Sequence, residues 1–512
     1  MSPGEQRALD DRLDRARVDH VHPEAWINPR PAERYNLVII GAGPGGLTAA
    51  REAAALGAKV ALIERTLIGG DSLNVGSVPT KAIIRTSRLY GDMRDAATFG
   101  ARNPGQVGVD FQEVTARVRR IQERLSRPFS ARRLSEAGVD VYFGEARFIG
   151  PDSVSVAGAT LRFAKALIAT GARPVTPPIP GLIESGFTCN EAILDRAECP
   201  RVLVVIGGGP LGCEMAQAFC RFGSHVVIAQ DEPTFLPKED REAAQIVSDT
   251  LGRDGVEIHL NTSVTAVRVE AGRKIVEMVS DGGVFSAAAD EIVVGIGRAP
   301  NVDGLGLDAA GVEYDTISGI HVDDYLRTSN RRIFAAGDVC LDLKFTHAAE
   351  ASARIALANA LFPRRRRMSA LTIPWCTYTD PEIAHIGLYI WDAWDRGIPV
   401  ETFTILLQDV DRAVTDGEDV GFVKVHVRHG TDEILGATVV ASHAGEMING
   451  LSLAISTGIG LGAIGRVIHT YPTQSGAIKM AGEAYERARF TPARKALSAR
   501  WLARSVGREP RS

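Results

Sequence analysis

The chain contains the same short pattern twice, and this internal repeat constrains its fold more than any other feature. Tyr35–Ile40 is an apolar stretch that runs into a glycine turn at 41–46, and an alanine-rich segment follows. Residues 201–206 run into a second glycine turn at 207–212 in the same way. A strand, a glycine turn, a helix and a second strand make up the βαβ unit that binds dinucleotides. The repeat therefore predicts two such units in one chain.

The glycine turns are the predicted pyrophosphate sites, because glycine lets a phosphate approach backbone N–H groups at a helix N-terminus. The residues predicted to bind there are Gly41, Gly43, Pro44 and Gly46 in the first turn and Gly207, Gly209 and Gly212 in the second. The strand that follows each turn ends 23 residues after its first glycine, at Glu64 and at Gln230. Glu64 is placed to accept hydrogen bonds from a ribose.

Gln230 bears on the choice between NADH and NADPH. Its amide can bond a ribose hydroxyl, whereas the two carboxylates that follow it, Asp231 and Glu232, would repel a 2′-phosphate. The second site is therefore predicted to take NADH. Low discrimination, with NADPH also accepted, is the alternative that the same residues allow.

A segment at 68–81, IGGDSLNVGSVPTK, gives the chain its closest resemblance to a known family. It resembles the GGxCxNxGCxPSK segment of the pyridine-nucleotide disulfide oxidoreductases, which include lipoamide dehydrogenase, glutathione reductase and mercuric reductase. Ser72 and Ser77 stand at the two cysteine positions. Further segments follow in the family's order, covering together about residues 20–490: ATG at 169–171, GIGRAPN at 295–301, FAAGDV at 334–339 and IPWCTYTDPEIA at 373–384.

The resemblance implies an α/β fold: two doubly wound Rossmann-like nucleotide-binding domains and an α+β C-terminal dimerisation domain. FAD and a nicotinamide dinucleotide are the implied cofactors. The expected bounds are an N-terminal arm at 1–34, an FAD-binding domain at 35–190 that resumes at 303–369, an NAD(P)-binding domain at 191–302, an interface or dimerisation domain at 370–486 and a basic tail at 487–512.

The same resemblance implies further cofactor contacts. They are Arg65, Lys81, Ala146, Thr170, Gly171 and Asp338 toward FAD, and Glu214 and Gly297 toward the nicotinamide dinucleotide. Lys81 and Glu214 are expected to meet beside flavin N5, where a lysine stabilises electron-rich flavin and the glutamate orients it. A purely structural ion pair is the alternative for these two residues.

The substrate side departs from the family. A serine hydroxyl cannot form a disulfide and supplies no thiolate, so disulfide and mercury reduction are not expected. Tyr471 stands where lipoamide dehydrogenase-like members place a histidine that reaches across the dimer interface, and Gly476 replaces the orienting glutamate. Ser72, Ser77 and Tyr471 of the partner subunit are therefore predicted to bind a small organic molecule.

Two functional hypotheses follow. The first is an FAD-dependent NAD(P)H oxidoreductase that passes hydride to flavin and then directly to a small acceptor; the reverse direction, oxidation of an organic substrate, is open. Quinone-like compounds, a biosynthetic intermediate and dioxygen are the acceptors considered. The second is a redox-silent FAD-binding dimer that acts as a sensor or binds a partner. A silent scaffold has no need of a nicotinamide site, and so the enzyme is favoured.

Composition narrows the partners. A net charge of −4 does not favour binding of nucleic acid, which is itself negatively charged. The six cysteines form no CxxC or metal-ligand cluster, so we expect free thiols and no metal. Residues 1–34 lack an apolar leader, and apolar runs of membrane-spanning length are missing. We therefore expect a cytoplasmic protein without membrane partners, and the resemblance implies that it is a homodimer. For the basic tail, a solvated or packed helix is favoured over a membrane anchor.

Overall fold

The computed structural model describes residues 3–102, 108–189, 196, 198–363 and 365–506, with side chains from residue 12 onward. The chain divides into two compact units. One comprises residues from 1–237 and 251–371, and the other comprises 238–250 and 372–512.

The strands are numbered along the chain. Those up to residue 174 are β1 Tyr35–Ile40, β2 Val60–Glu64, β3 Val139–Phe143, β4 Arg147–Gly150, β5 Ser153–Val156, β6 Ala159–Ile168 and β7 Ala172–Pro174. The next group is β8 Val202–Ile206, β9 His225–Ala229, β10 Glu257–His259, β11 Ser263–Glu270, β12 Arg273–Ser280, β13 Gly283–Ala289, β14 Glu291–Val294 and β15 Arg298–Pro300. The remainder are β16 Tyr314–Asp315, β17 Gly319–Ile320, β18 Ile333–Ala335, β19 Trp375–Thr377, β20 Glu382–Gly387, β21 Val400–Leu406, β22 Phe422–Arg428 and β23 Ile434–Ala441.

The α-helices are numbered in the same way. Those up to residue 254 are α1 Pro3–Val21, α2 Pro44–Ala55, α3 Gly70–Asn74, α4 Ser77–Asp95, α5 Phe111–Ser126, α6 Ala131–Glu136, α7 Leu182–Ser185, α8 Pro210–Arg221 and α9 Arg241–Asp254. The rest are α10 Leu307–Ala310, α11 Thr346–Leu361, α12 Ile390–Asp395, α13 Asp411–Asp416, α14 Ala444–Thr457, α15 Leu461–Arg466, α16 Gly476–Ala488 and α17 Pro492–Ser505.

The first sheet of the larger unit runs in the order β3-β2-β1-β6-β5-β4, with β18 also paired to β6. Strands β3, β2, β1, β6 and β18 are parallel, and β5 and β4 extend the sheet antiparallel. Successive residues of β1 enter two different hydrophobic clusters, Leu37 on one face and Val38 on the other. Both faces of this sheet are therefore covered, as expected for parallel strands joined by helices.

The second sheet repeats this plan with the order β10-β9-β8-β14, all parallel, and the antiparallel sheet β11-β12-β13 accompanies it. In both parallel sheets the carboxyl ends of the strands share one edge. Ile40 lies opposite Ile63 and Ile168, and Ile206 lies opposite Ala229 and Val294. Ligands of open α/β sheets bind at this edge, where both glycine turns and both strand ends fall.

The smaller unit contains the antiparallel sheet β19-β20-β23-β22-β21. The segment 238–250 belongs to this unit through buried polar contacts. Glu239 accepts hydrogen bonds from Tyr389 at 2.8 Å and Trp375 at 3.1 Å. Asp240 pairs with Lys424 at 2.9 Å.

The α/β class with two nucleotide-binding regions and an α+β C-terminal region is confirmed. Strands β1, β8 and β14 lie within one residue of their predicted bounds. The predicted boundary between residues 190 and 191 lies outside the described residues, as do residues 1–2 and 507–512; the other domain bounds stay predictions. The basic tail contains helix α17, in which none of residues 492–505 is buried. No helix in the described part of the chain is both long and apolar enough to cross a membrane.

Candidate functional site

The two glycine turns have nearly identical backbone geometry. Gly41 has φ +98° and Gly207 has φ +101°, in the region that favours glycine. A Cβ on Gly46 would lie 1.9 Å from the carbonyl oxygen of Gly41, and one on Gly212 would lie 2.0 Å from that of Gly207. The last glycine of each turn is therefore required for packing of the helix against the turn.

The middle glycine of each turn faces open space. A Cβ on Gly43 would meet no atom within 4 Å, and one on Gly209 would find its nearest atom at 3.7 Å. Proline occupies the first turn of the following helix in both cases, and no side chain caps either N-terminus. The described residues thus leave room and N-terminal helix backbone for a pyrophosphate at each turn, which fits FAD at the first and a nicotinamide dinucleotide at the second.

The side chains at the two strand ends bond their own glycine turns. Glu64 accepts a hydrogen bond from the backbone N–H of Ala42 at 2.8 Å, and Gln230 accepts one from Gly208 at 2.6 Å. Both side chains are buried. The sequence predicted bonds to a ribose and did not reveal these backbone partners. With its oxygen bonded to Gly208, Gln230 presents its amide nitrogen as a donor.

The segments 169–171 and 295–301 are joined by reciprocal hydrogen bonds. Thr170 Oγ1 donates to the carbonyl of Asn301 at 2.8 Å, and Asn301 Nδ2 donates to the carbonyl of Thr170 at 2.9 Å. The backbone N–H of Asn301 also donates to Gly171 at 2.9 Å. Gly297, at φ +125°, accepts from the backbone of Val175 at 3.0 Å. Hydrogen bonds therefore join two predicted cofactor segments to each other beside the glycine turns.

Asp338 lies in the short helical turn after β18 and is partly buried. Burial raises the pKa of its carboxyl group, while the cations Arg298 and Lys344 oppose that rise. Arg298 also contacts the carboxylate of Asp71. Of the remaining predicted FAD contacts, Arg65 is exposed directly after Glu64. Ala146 is half-buried against the core of the first sheet.

Lys81 and Glu214 meet, as the resemblance implied. The ammonium group of Lys81 donates to both carboxylate oxygens of Glu214, at 3.0 and 2.8 Å. The Glu214 side chain is 3% exposed and the Lys81 side chain is 35% exposed. Helices α4 and α8 pack together and carry one partner each. The pair therefore joins the serine-bearing segment to the second glycine unit.

Ser72 and Ser77 are brought together by a third hydroxyl group. Ser72 Oγ forms a short hydrogen bond with Thr346 Oγ1, and Ser77 Oγ lies 3.4 Å from the same atom. Thr346 is the first residue of helix α11. Sequence reasoning missed Thr346, because no local pattern marks a threonine that lies about 270 residues from its partners in the chain. The result is a cluster of three neutral hydroxyl groups, which can both donate and accept.

Tyr471 belongs to the smaller unit. Its side chain is 77% exposed, and its hydroxyl group donates to the carboxylate of Asp411 at 2.7 Å. This bond raises the pKa of the phenol. The phenolic proton is thus committed to Asp411, and the oxygen can still accept a hydrogen bond from a ligand.

No disulfide joins the six cysteines within the described chain. Burial raises the pKa of Cys220 to about 11 and that of Cys340 to about 12. Such thiols carry almost no thiolate at neutral pH and are poor nucleophiles. Over the described residues, no group of three or more His, Cys, Asp or Glu side chains could hold a metal ion.

Two family models together match most of the chain. Residues 35–353 match the family model described as pyridine nucleotide-disulphide oxidoreductase, and residues 373–481 match the dimerisation domain of the same family. A mercuric reductase from Staphylococcus aureus is 31% identical over 455 residues, which cover 88% of this chain and 83% of that protein. A dihydrolipoyl dehydrogenase from Geobacillus stearothermophilus is 32% identical over 465 residues, covering 89% and 96%.

Solved structures are similar to this chain over most of its length. The HOCl-induced flavoprotein disulfide reductase RclA from Escherichia coli has a TM-score of 0.79 at 28% identity, covering 87% of this chain and 99% of that one. LpdA from Mycobacterium tuberculosis has a TM-score of 0.80 at 26% identity, covering 89% and 100%. Proteins of this kind use FAD and NAD(P)H, and the dimerisation domain supports a homodimer. The chain therefore belongs to the pyridine nucleotide-disulphide oxidoreductase family.

Proposed function

We propose that the protein is an FAD-dependent NAD(P)H oxidoreductase that works without a redox disulfide and exchanges electrons directly with a small organic molecule. The observation that carries this proposal is the hydroxyl cluster of Ser72, Ser77 and Thr346. Two of its members, Ser72 and Ser77, stand at the cysteine positions of the family pattern that the segment at 68–81 resembles, while Lys81 and Glu214 form an ion pair. The site thus keeps the parts that serve flavin and nicotinamide and has exchanged the part that serves a disulfide.

Lys81 and Glu214 are the proposed catalytic residues on the nicotinamide side. FAD held at the first glycine turn would supply the two-electron transfer between the nicotinamide and an acceptor. An ammonium group next to the flavin ring stabilises the negative charge that reduction brings. Glu214, buried and bonded to Lys81 through both oxygens, holds that ammonium group in place.

The hydroxyl cluster is the proposed substrate side. Three neutral hydroxyl groups suit a polar, oxygenated or aromatic ligand and offer an anion no charge. Tyr471 of the partner subunit is proposed to close this pocket. Its exposure in the single chain, together with that of Ile468 at 97%, supports an interface role, since exposed apolar side chains mark protein contacts. A quinone-like compound, a biosynthetic intermediate and dioxygen remain the acceptor classes, and the reaction can run toward oxidation of the substrate.

Under this proposal the protein reduces neither a disulfide nor mercuric ion, because serine supplies no thiolate. Cys220 and Cys340 do not replace the missing pair, since burial raises the pKa of both thiols far above neutral. Free thiols also support the cytoplasm as the proposed location. No nucleic-acid or membrane partner is proposed.

NADH is the proposed nicotinamide cofactor. The amide of Gln230 offers a donor to a ribose hydroxyl, whereas Asp231 and Glu232, both near the strand end, disfavour a 2′-phosphate. NADPH is accepted less well under this proposal because its additional phosphate meets these carboxylates.

The test is an anaerobic titration of the purified protein with NADH and NADPH, followed by flavin absorbance. We expect stoichiometric loss of the oxidised flavin spectrum, at lower concentration of NADH than of NADPH. Flavin that neither dinucleotide reduces would overturn the enzyme and favour a redox-silent FAD-binding dimer. Reduction followed by efficient transfer to a disulfide substrate would overturn the proposed departure from the family's chemistry.

A further inference from the structure

The N-terminal arm, residues 1–34, precedes the family match that begins at residue 35. Its described part nevertheless packs closely on the FAD-binding region. Helix α1 lies along helix α5, and Val21 is fully buried in the core beside β1 and β2. Arg17 donates to the side chain of Asn74 at 3.0 Å. Asn74 lies between Ser72 and Ser77 in the chain, so the arm reaches the serine segment itself.

The end of the arm covers the outer strand of the first sheet. The ring of His22 stacks on Phe143, with ring centres 4.1 Å apart and planes 7° from parallel. Asn28 bonds Phe143 twice: its Nδ2 donates to the carbonyl at 2.9 Å, and its Oδ1 accepts from the backbone N–H at 2.8 Å. Trp26 Nε1 donates to Val141 at 3.2 Å. These contacts fix the arm along β3, next to the strand that ends at Glu64.

His22 also begins a chain of hydrogen bonds that ends at the first glycine turn. His22 Nδ1 lies 2.5 Å from the carbonyl oxygen of Thr66; since a carbonyl can only accept, Nδ1 carries the proton. Thr66 donates to Glu64 through its backbone N–H at 2.9 Å and through its hydroxyl group at 3.2 Å. Glu64 in turn accepts from the N–H of Ala42 at 2.8 Å.

We propose that His22 is a positioning residue for the adenosine end of FAD. It holds the turn at 64–66 in place, and through Thr66 it fixes the carboxylate of Glu64 toward the ribose. The inference rests on the assignment of Glu64 to the FAD site. It extends that site to a segment outside the family match, and the arm thereby becomes part of the flavin site.

The experiment follows FAD release from the full-length holoprotein after dilution, by flavin fluorescence. His22→Phe keeps a ring to stack on Phe143 and removes the donor to Thr66. Loss of one hydrogen bond should speed release about fivefold to tenfold. His22→Asn keeps a donor close to the position of Nδ1 and should release FAD within about twofold of the wild-type rate.

His20→Phe is the matched control, because His20 is an arm histidine whose Nδ1 bonds Ser126 at 2.8 Å and lies outside this chain of bonds. Its release rate should stay near that of the wild type. The melting temperature of flavin-free His22→Phe should fall no further than that of flavin-free His20→Phe, since each variant loses one hydrogen bond of the arm. Glu64→Gln should also speed release, which tests the Glu64 assignment separately.

Unchanged release from His22→Phe would overturn the inference, and so would an equal effect of His20→Phe. A lowered melting temperature of the flavin-free protein that Asn fails to restore would show a merely structural role. If His22→Phe does not accumulate as folded protein, Thr66→Val tests the next link, and unchanged release there also overturns the inference. Flavin reduction by NADH tests the proposed function by itself. Failure of the proposed function can therefore be distinguished from failure of the inference about His22.

Discussion

The Lys81–Glu214 pair gives the sharpest test of the site, because its two partners are buried unequally. Lys81→Met removes an ammonium group that donates to both oxygens of a carboxylate that is 3% exposed. Glu214→Gln instead leaves an ammonium group on a side chain that is 35% exposed and within reach of water. The structure therefore predicts that removing the lysine destabilises the protein more than neutralising the glutamate.

The magnitude follows from this difference. Removing one partner of a fully buried ion pair costs about 3–5 kcal/mol. Because Lys81 is about one-third exposed, solvent lowers that cost, and we expect about 2 kcal/mol for Lys81→Met. Glu214→Gln should cost about 1 kcal/mol. The double variant Lys81→Met/Glu214→Gln should be more stable than Lys81→Met alone, since it leaves no unpaired buried charge.

Two measurements on each holoprotein check this: denaturant-induced unfolding, and the single-turnover rate of flavin reduction by NADH. Loss of the cation that we propose to lie beside the flavin should slow flavin reduction by roughly 10- to 100-fold in Lys81→Met. The double variant should still reduce its flavin slowly, although it should be more stable than Lys81→Met. Equal stability of the two single variants would refute the burial argument. A wild-type rate of reduction in Lys81→Met would reduce the pair to a structural ion pair.

The remaining predictions concern the substrate side, the nicotinamide site and the absent disulfide. Thr346→Val should lower turnover with a quinone acceptor by about fivefold to tenfold, because both serines lose their shared hydroxyl partner. The rate of flavin reduction by NADH should stay within about twofold of the wild-type rate. Equal slowing of both half-reactions would contradict a substrate role. Gln230→Glu should increase the preference for NADH over NADPH by about tenfold or more, since it sets a further carboxylate against a 2′-phosphate, and unchanged preference in flavin-reduction kinetics would refute this. Titration with NADH should give reduced flavin without the long-wavelength thiolate-to-flavin absorbance band; the appearance of that band would mean that a cysteine reaches the flavin.

The sequence was a good guide where structure is local. An apolar strand, a glycine turn and a helix follow one another within about 20 residues, and the steric need for glycine at Gly46 and Gly212 is visible in the pattern itself. Strand ends could be placed because offsets within a βαβ unit are fixed by element lengths. Lys81 and Glu214, 133 residues apart, could be paired only through the family resemblance.

What the sequence did not reveal depends on contacts between distant elements. A hydrophobic pattern tells which face of a helix is buried and says nothing about which element covers it. The sequence therefore does not identify Thr346 as a partner of the serines, because that contact forms only when helix α11 packs near the serine segment. For the same reason it does not identify Asp411 as the partner of Tyr471. The contacts of the charge-rich N-terminal arm were also not evident from the sequence. Its polar composition predicted little, yet Trp26 and Asn28 donate hydrogen bonds to the outer strand β3, and His22 stacks on a ring of that strand and bonds Thr66.

The two glycine turns, alike in backbone, differ in the side chain at the end of the following strand, and under the proposed assignment this difference matches what each cofactor must do. Glu64 offers a carboxylate as acceptor, and hydrogen bonds to a charged group are roughly twice as strong as neutral ones. Gln230, bonded to its turn in the same way, offers a neutral amide. FAD stays bound through every turnover, whereas the nicotinamide dinucleotide must leave after each one. A charged acceptor suits the first requirement and a neutral donor suits the second. The repeat thus supplies one scaffold, and its two copies differ in the side chain at the strand end, a carboxylate in one and an amide in the other.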